Sequence, residues 1–181
     1  LEGYFVTDPA LSLAVPLIAE FEGFRSEPYR DQAGNWTIGF GFTVNSDGTH
    51  VSAATPPITR EAAEARLSGM VARVLGLVRG MVHVPITNNQ AAALTSFAYN
   101  EGTNALRNST LLERLNAGDT AGAAEQFGGW VYADGRPDAG LRNRRARERV
   151  VFLAADGPGS VSTADTLNAA ELSAINPTPS T

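Results

Sequence analysis

The texture of this chain changes sharply at Gly23, and that change limits the architectures open to it. From Ser12 to Glu22 the apolar residues Leu13, Leu17 and Phe21, continued by Phe24, recur every three or four positions with Ile18 beside them, which is one face of a helix. Pro16 falls near the first turn of that segment, where a missing backbone N–H is tolerated. From Arg25 to about Val51, Gly34, Gly39, Gly41 and Gly48 separate short runs of Tyr, Trp, Thr, Ile and Phe, the pattern of small hairpins. Helical spacing then returns. Glu61 and Glu64 stand in the first turns after Thr59, and Leu67, Met70, Val71, Val74 and Val78 form an apolar stripe. Thr87 and Gln90 have the spacing of a capping box, with Ile86 as its staple, at the start of a helix through Leu94, Phe97 and Ala98. A shorter helix is expected from Thr110 to near Gly118, another capped by Asp119 and carrying Ala123, Ala124 and Phe127, and an arginine-rich one from about Asp138 to Ala155. This order predicts an α+β fold: a small β-hairpin lobe joined by a long helix to a mainly helical lobe.

The expected organisation is an N-terminal extension or cloning remnant at 1–11, one domain at 12–155 and a flexible C-terminal tail at 156–181. Within the domain, the β lobe spans about 25–57, the linking helix about 59–79 and the helical lobe about 87–155. The tail is rich in Gly, Pro, Ser, Thr and Ala, with a short helix conceivable around 164–175.

Bulk properties exclude several classes of function. The chain has no cysteine, so disulfides and thiolate metal sites are ruled out, and stability must come from packing. His50 and His83 are too isolated to suggest a metal site, and no cofactor is expected. No apolar run is long enough to span a bilayer, so stable membrane insertion is not expected. A net charge of −5 argues against nucleic acid as a partner, because phosphate binding depends on basic side chains. All fourteen basic residues are arginine, and Arg142, Arg144, Arg145, Arg147 and Arg149 make the last helix a candidate basic patch.

Two carboxyls have the contrast that glycoside cleavage requires. One group must deliver a proton to the leaving oxygen while a second, ionised one manages water or the developing positive charge. Glu22 ends an apolar helix beside Phe21 and Phe24, where desolvation favours the protonated form. Asp31 lies in the polar run Tyr29-Arg30-Asp31-Gln32, which favours the charged form. Spacing alone is weak support, since an isolated glutamate at a helix end is usually just solvated.

The surrounding residues carry far more information. Glu22-Gly23-Phe24, Tyr29-Arg30-Asp31 and Gly34-Asn35-Trp36-Thr37-Ile38-Gly39-Phe40-Gly41 strongly resemble the phage lysozymes, the endolysins of T-even and lambdoid phages. The likeness continues through Phe97-Ala98-Tyr99-Asn100-Glu101-Gly102, Asn108-Ser109-Thr110, Leu115-Asn116-Ala117-Gly118-Asp119, Trp130 and Gly140-Leu141 with Arg144, Arg145 and Glu148. It implies a lysozyme-like fold and a muramidase acting on peptidoglycan glycan strands, with Glu22 as general acid, Asp31 as second carboxylate and Thr37 helping to hold the water. In the T-even type the outcome is inversion, which needs the carboxyls roughly 6.5 to 9.5 Å apart.

By the same resemblance, Thr43, Tyr99 and Ser109 match positions lining the saccharide cleft, with Asn100 as a polar neighbour. Arg145, or Arg144 if the register slips by one, is expected to pair with Glu22 across the lobes. Phe42 departs from the family, whose members usually carry histidine after the second glycine. The resemblance also implies a monomer that works at the cell wall or periplasm, reached by a holin, a removed signal or virion delivery. A wall-binding or scaffolding domain on the same fold is the alternative, and transglycosylation a third reading.

Overall fold

The computed structural model describes residues 8–155; residues 1–7 and the tail 156–181, with the segment 164–175, lie outside the described residues. Helix α1 (Pro9–Glu22) begins ahead of the expected Ser12, because Asp8 caps it: its Oδ1 accepts the Ala10 N–H at 3.0 Å. Pro9 takes the first helical position, where a proline has no bond to lose. Pro16 therefore lies in the helix interior and not in its first turn. Ala10, Ala14, Leu17 and Ile18 form the buried stripe of α1, and Gly23 ends it at φ +66°.

Strands β1 (Arg25–Arg30) and β2 (Trp36–Gly39) pair antiparallel with Tyr29 opposite Thr37 and Arg30 opposite Trp36. Beyond β2 the chain doubles back at once. Ile38 and Phe42 exchange backbone hydrogen bonds of 2.9 and 2.8 Å across Gly39, Phe40 and Gly41. Both glycines have positive φ, +65° and +82°, so the turn needs residues without a Cβ.

Helix α2 (Arg60–Arg79) is capped by Thr59, and α3 (Asn88–Glu101) opens with the full Thr87–Gln90 capping box. Helices α4 (Thr103–Arg107), α5 (Thr110–Asn116) and α6 (Thr120–Gln126) follow, the last capped by Asp119. A 3-10 turn at Phe127–Gly129 and a small hairpin of β3 (Tyr132–Ala133) and β4 (Arg136–Pro137) lead to α7 (Ala139–Leu153), capped by Asp138. The helix α4 and the β3–β4 hairpin are too short to show a periodicity, and neither was expected.

Among the described residues two larger cores hold the lobes, and the long helices serve both. Ile38, Phe40, Phe42 and Val51 pack against Ala14 and Ile18 of α1, Ala63, Leu67 and Val71 of α2, and Ala92 of α3. Leu94, Phe97, Leu111, Phe127 and Phe152 form the second core, into which α1 sends Leu17 and α2 sends Val78. Helix α3 is buried continuously from Ala91 to Ala98 and packs against α1, α2 and α7. That central helix fixes the ends of α1 and α7 against each other, and the site lies there.

Candidate active site

Glu22 is the last residue of α1 and points away from solvent over most of its side chain, which is 24% exposed. Its Oε1 accepts a hydrogen bond from Nη1 of Arg144 at 2.9 Å. Its other oxygen faces the β2 turn, since a Cβ placed on Gly41 would lie 3.9 Å from Oε2. A glycine at this point lets the hairpin backbone come alongside the carboxyl.

The pairing with Glu22 falls to Arg144 and not to Arg145. Successive residues on a helix point about 100° apart, and the rotation of α7 about its axis decides which arginine reaches α1. Arg145 is 1% exposed and is held inside the protein: Nη1 donates to Glu101 Oε1 at 3.0 Å, Nη2 to Asn100 Oδ1 at 2.8 Å, and Nε lies 2.9 Å from Glu148 Oε2. A side chain so enclosed has no surface to offer a glycan. The basic patch expected on α7 is largely internal, since Arg144 and Arg145 are both buried and Arg147 faces Glu20 at 3.8 Å.

Asp31 follows β1 in a four-residue turn closed by Gly34 N–H to Asp31 O and by Asp31 N–H to Asn35 O, both 3.0 Å. The Asp31 carboxylate accepts the Asn35 backbone N–H at 2.8 Å on Oδ1 and its side-chain amide at 3.3 Å on Oδ2. Arg30 reinforces the turn by donating to Gly34 O and by lying over the Trp36 ring at 4.7 Å. Thr37, in β2, is 2% exposed and donates its hydroxyl to Asn35 O at 3.1 Å. Asn35 thus ties Asp31 and Thr37 together, a role that its sequence position had not suggested.

Tyr99 leans from α3 toward the same region and is half-buried in the β-lobe core. Burial raises its phenol above the usual range, the charge of Glu22 adds to the rise, and Arg144 and Arg66 oppose it. These influences group Tyr99 with Glu22, Arg144 and Arg66. Thr43 is exposed just beyond the hairpin turn, and Asn100 keeps some exposure while accepting from Arg145. Ser109 is otherwise occupied. It is 6% exposed and caps α5, accepting the Leu112 N–H at 3.2 Å and donating to Leu106 O at 2.7 Å.

Phe42, the departure from the histidine pattern, is a core residue. It is 3% exposed, packs edge-on to Phe40, and lies beneath the Arg66 guanidinium at 4.2 Å. Arg66 also donates to Val44 O, so one arginine of α2 clamps the strand that leaves the turn. Ser96 and Glu148 were not anticipated as part of the site. Glu148 has 0% exposure and accepts from Ser96 Oγ at 2.7 Å, Arg144 Nε at 3.2 Å and Arg145 Nη2 at 3.1 Å. The signal available was its spacing, four residues after Arg144 and three after Arg145, which places all three on neighbouring faces of one helix.

A small hairpin lobe packed against a helical lobe through shared long helices is the architecture of a lysozyme-type glycoside hydrolase. The phage lysozyme family model matches residues 19–148, and the chain belongs to that family. It is 40% identical over 143 residues to an endolysin of Acyrthosiphon pisum secondary endosymbiont phage 1, covering 77% of this chain and 94% of that one. It is also 40% identical over 140 residues to an endolysin of Bacillus phage PZA, covering 76% of this chain but only 52% of that longer protein. Among solved structures it resembles an endolysin from Escherichia coli O157:H7 phage FAHEc1, with a TM-score of 0.72 and 34% identity over 87% of this chain and 99% of the other.

Proposed function

We propose that this endolysin-type muramidase hydrolyses the β-1,4 bond between N-acetylmuramic acid and N-acetylglucosamine, with Glu22 as acid and with Asp31 and Thr37 managing the water. The supporting observation is the division of labour between the two oxygens of Glu22. Oε1 is held by Arg144, and Oε2, beside the Gly41 backbone, is the oxygen left to carry a proton. In the reaction Glu22 gives that proton to the glycosidic oxygen as the bond to the anomeric carbon breaks. Asp31 takes a proton from the attacking water, and the buried Thr37 hydroxyl orients it as both donor and acceptor. Thr43, Tyr99 and Asn100 are the proposed sugar contacts, and Arg145 supports Asn100 from behind by donating to its Oδ1.

The substrate lies in the wall, outside the inner membrane. Among the described residues no helix is long and apolar enough to cross a membrane. The test is clearing of outer-membrane-permeabilised cell walls by the wild type and by Glu22→Gln. Loss of a general acid costs on the order of 100-fold or more; equal clearing rates overturn the assignment. Mass spectrometry of the digest should show reducing ends, whereas anhydromuramic ends would indicate a transglycosylase.

A further inference from the structure

The buried charges behind Glu22 balance without it. Arg144 and Arg145 are permanent cations, because guanidinium does not release its proton in a protein. Facing them are Glu148 and Glu101: Glu148 touches both arginines, and Glu101 touches Arg145. Two cations meet two carboxylates, so the group is neutral before Glu22 is counted. Glu148 lies at its centre with three donors, one of them Ser96.

The environment of Glu22 is otherwise simple. Arg144 faces it from α7, with Arg145 and Glu148 behind, while Arg147 and Glu20 pair on the outer side. From α3 comes Tyr99, with Glu101 and Asn100 engaged by Arg145; from α2, Arg66 acts through Tyr99. The β2 turn brings the backbone of Gly41, and Asp31 belongs to the turn before it. Among the described residues, Arg144 is the cation in hydrogen-bond contact with Glu22.

We propose that Glu148 is a positioning residue for the acid step: it neutralises and grips Arg144, so that Arg144 can hold Oε1 of Glu22 without requiring Glu22 to be ionised. A lone guanidinium against a carboxyl draws off its proton, and an acid catalyst so placed would be spent before substrate arrived. Arg144 is instead fixed by Glu148, by the Ser96 carbonyl at 3.3 Å and by the Phe21 ring at 5.3 Å. It therefore positions Glu22 as a donor whose charge is already answered. Burial raises the Glu148 carboxyl, while Arg145, Ser96 and Arg144 oppose the rise. Each of the groups bonded to Glu148 donates to it, the setting that suits a carboxylate.

This inference rests on Glu22 being the acid, and the test separates the two claims. The pH–rate profile on purified peptidoglycan is measured for the wild type, Glu148→Gln, Glu148→Asp and Glu22→Gln, each first checked for native near-ultraviolet circular dichroism. In Glu148→Gln the remaining carboxylate for Arg144 is Glu22, so the alkaline limb of the profile moves to lower pH by about 1 to 3 units. Activity returns on acidification, and Glu148→Asp keeps the wild-type limb.

Should Glu148→Gln not fold, the paired variant Arg145→Met with Glu148→Gln replaces it, because it removes one cation and one anion together. The same acid shift is expected, because Glu101 is a partner of Arg145 and not of Arg144, so Arg144 is again left with Glu22 as its carboxylate. A uniformly lower rate with an unmoved limb, or a limb moved to higher pH, overturns the proposal. Retained activity in Glu22→Gln overturns the assignment of the acid instead.

Discussion

Gly39→Ala should be costly mainly because of one ring. A Cβ at Gly39 would lie 2.8 Å from both Cδ2 and Cε2 of Phe42, closer than carbon atoms approach, and 3.5 Å from the Ala63 Cβ. The backbone there also has φ +65°, where a side chain costs about 1 to 2 kcal/mol. Overpacking against a buried ring adds about 1 to 3 kcal/mol, so the substitution should cost roughly 2 to 5 kcal/mol in total. Phe42→Val removes the two ring atoms at fault and by itself costs about 2 to 4 kcal/mol for lost burial.

Combined, the two changes should not add. In the valine background only the backbone strain of Gly39→Ala remains, so the double variant should be more stable than the sum predicts by about 1 to 3 kcal/mol. Urea denaturation of the four proteins, followed by circular dichroism, measures this coupling. Additivity within about 0.5 kcal/mol would refute the steric account, and with it the claim that Phe42 fills the space under the hairpin turn.

Ser109→Ala should cost about 1 to 2 kcal/mol in thermal or urea unfolding, as loss of a helix cap and a buried hydroxyl bond. Its clearing rate below the melting range should stay near wild type, whereas a large rise in KM would return Ser109 to the glycan contacts. For Tyr99, the folded phenol is raised, so its stabilising effect is complete below the ordinary value of about 10 and is lost as pH rises through the higher folded value. The wild type should accordingly lose stability relative to Tyr99→Phe above about pH 10, and parallel urea midpoints across that range would count against the shift.

The starts of several helices were legible because the partners of their caps lie within three positions. Thr59, Asp119 and Asp138 bond to their own third residues, and Thr87 and Gln90 bond to each other, whatever the rest of the chain does. The beginning of α1 was misplaced because the apolar spacing becomes clear only after the cap; Asp8 and Pro9 were the better signal. Glu22, Asp31 and Thr37 stood out through the motif around them. The choice between Arg144 and Arg145 was not legible, since both lie on one helix and only its packing against α1 and α3 separates them. Charge density misled in the same place: an arginine-rich helix reads as a solvated face, yet Glu148 draws two of those arginines inward.

The small side chains of α3 have a further consequence. Ala92 packs with Ala14 and Ile18 on one side, and Ser96 bonds to Glu148 on another. The girth of this helix therefore acts as the gauge that sets how far the end of α1 stands from α7, and a bulkier side chain on either flank should move the Arg144 guanidinium away from the Glu22 carboxyl. The contact between Glu22 on one helix and Arg144 on another thus depends on the thinness of a third that supplies neither.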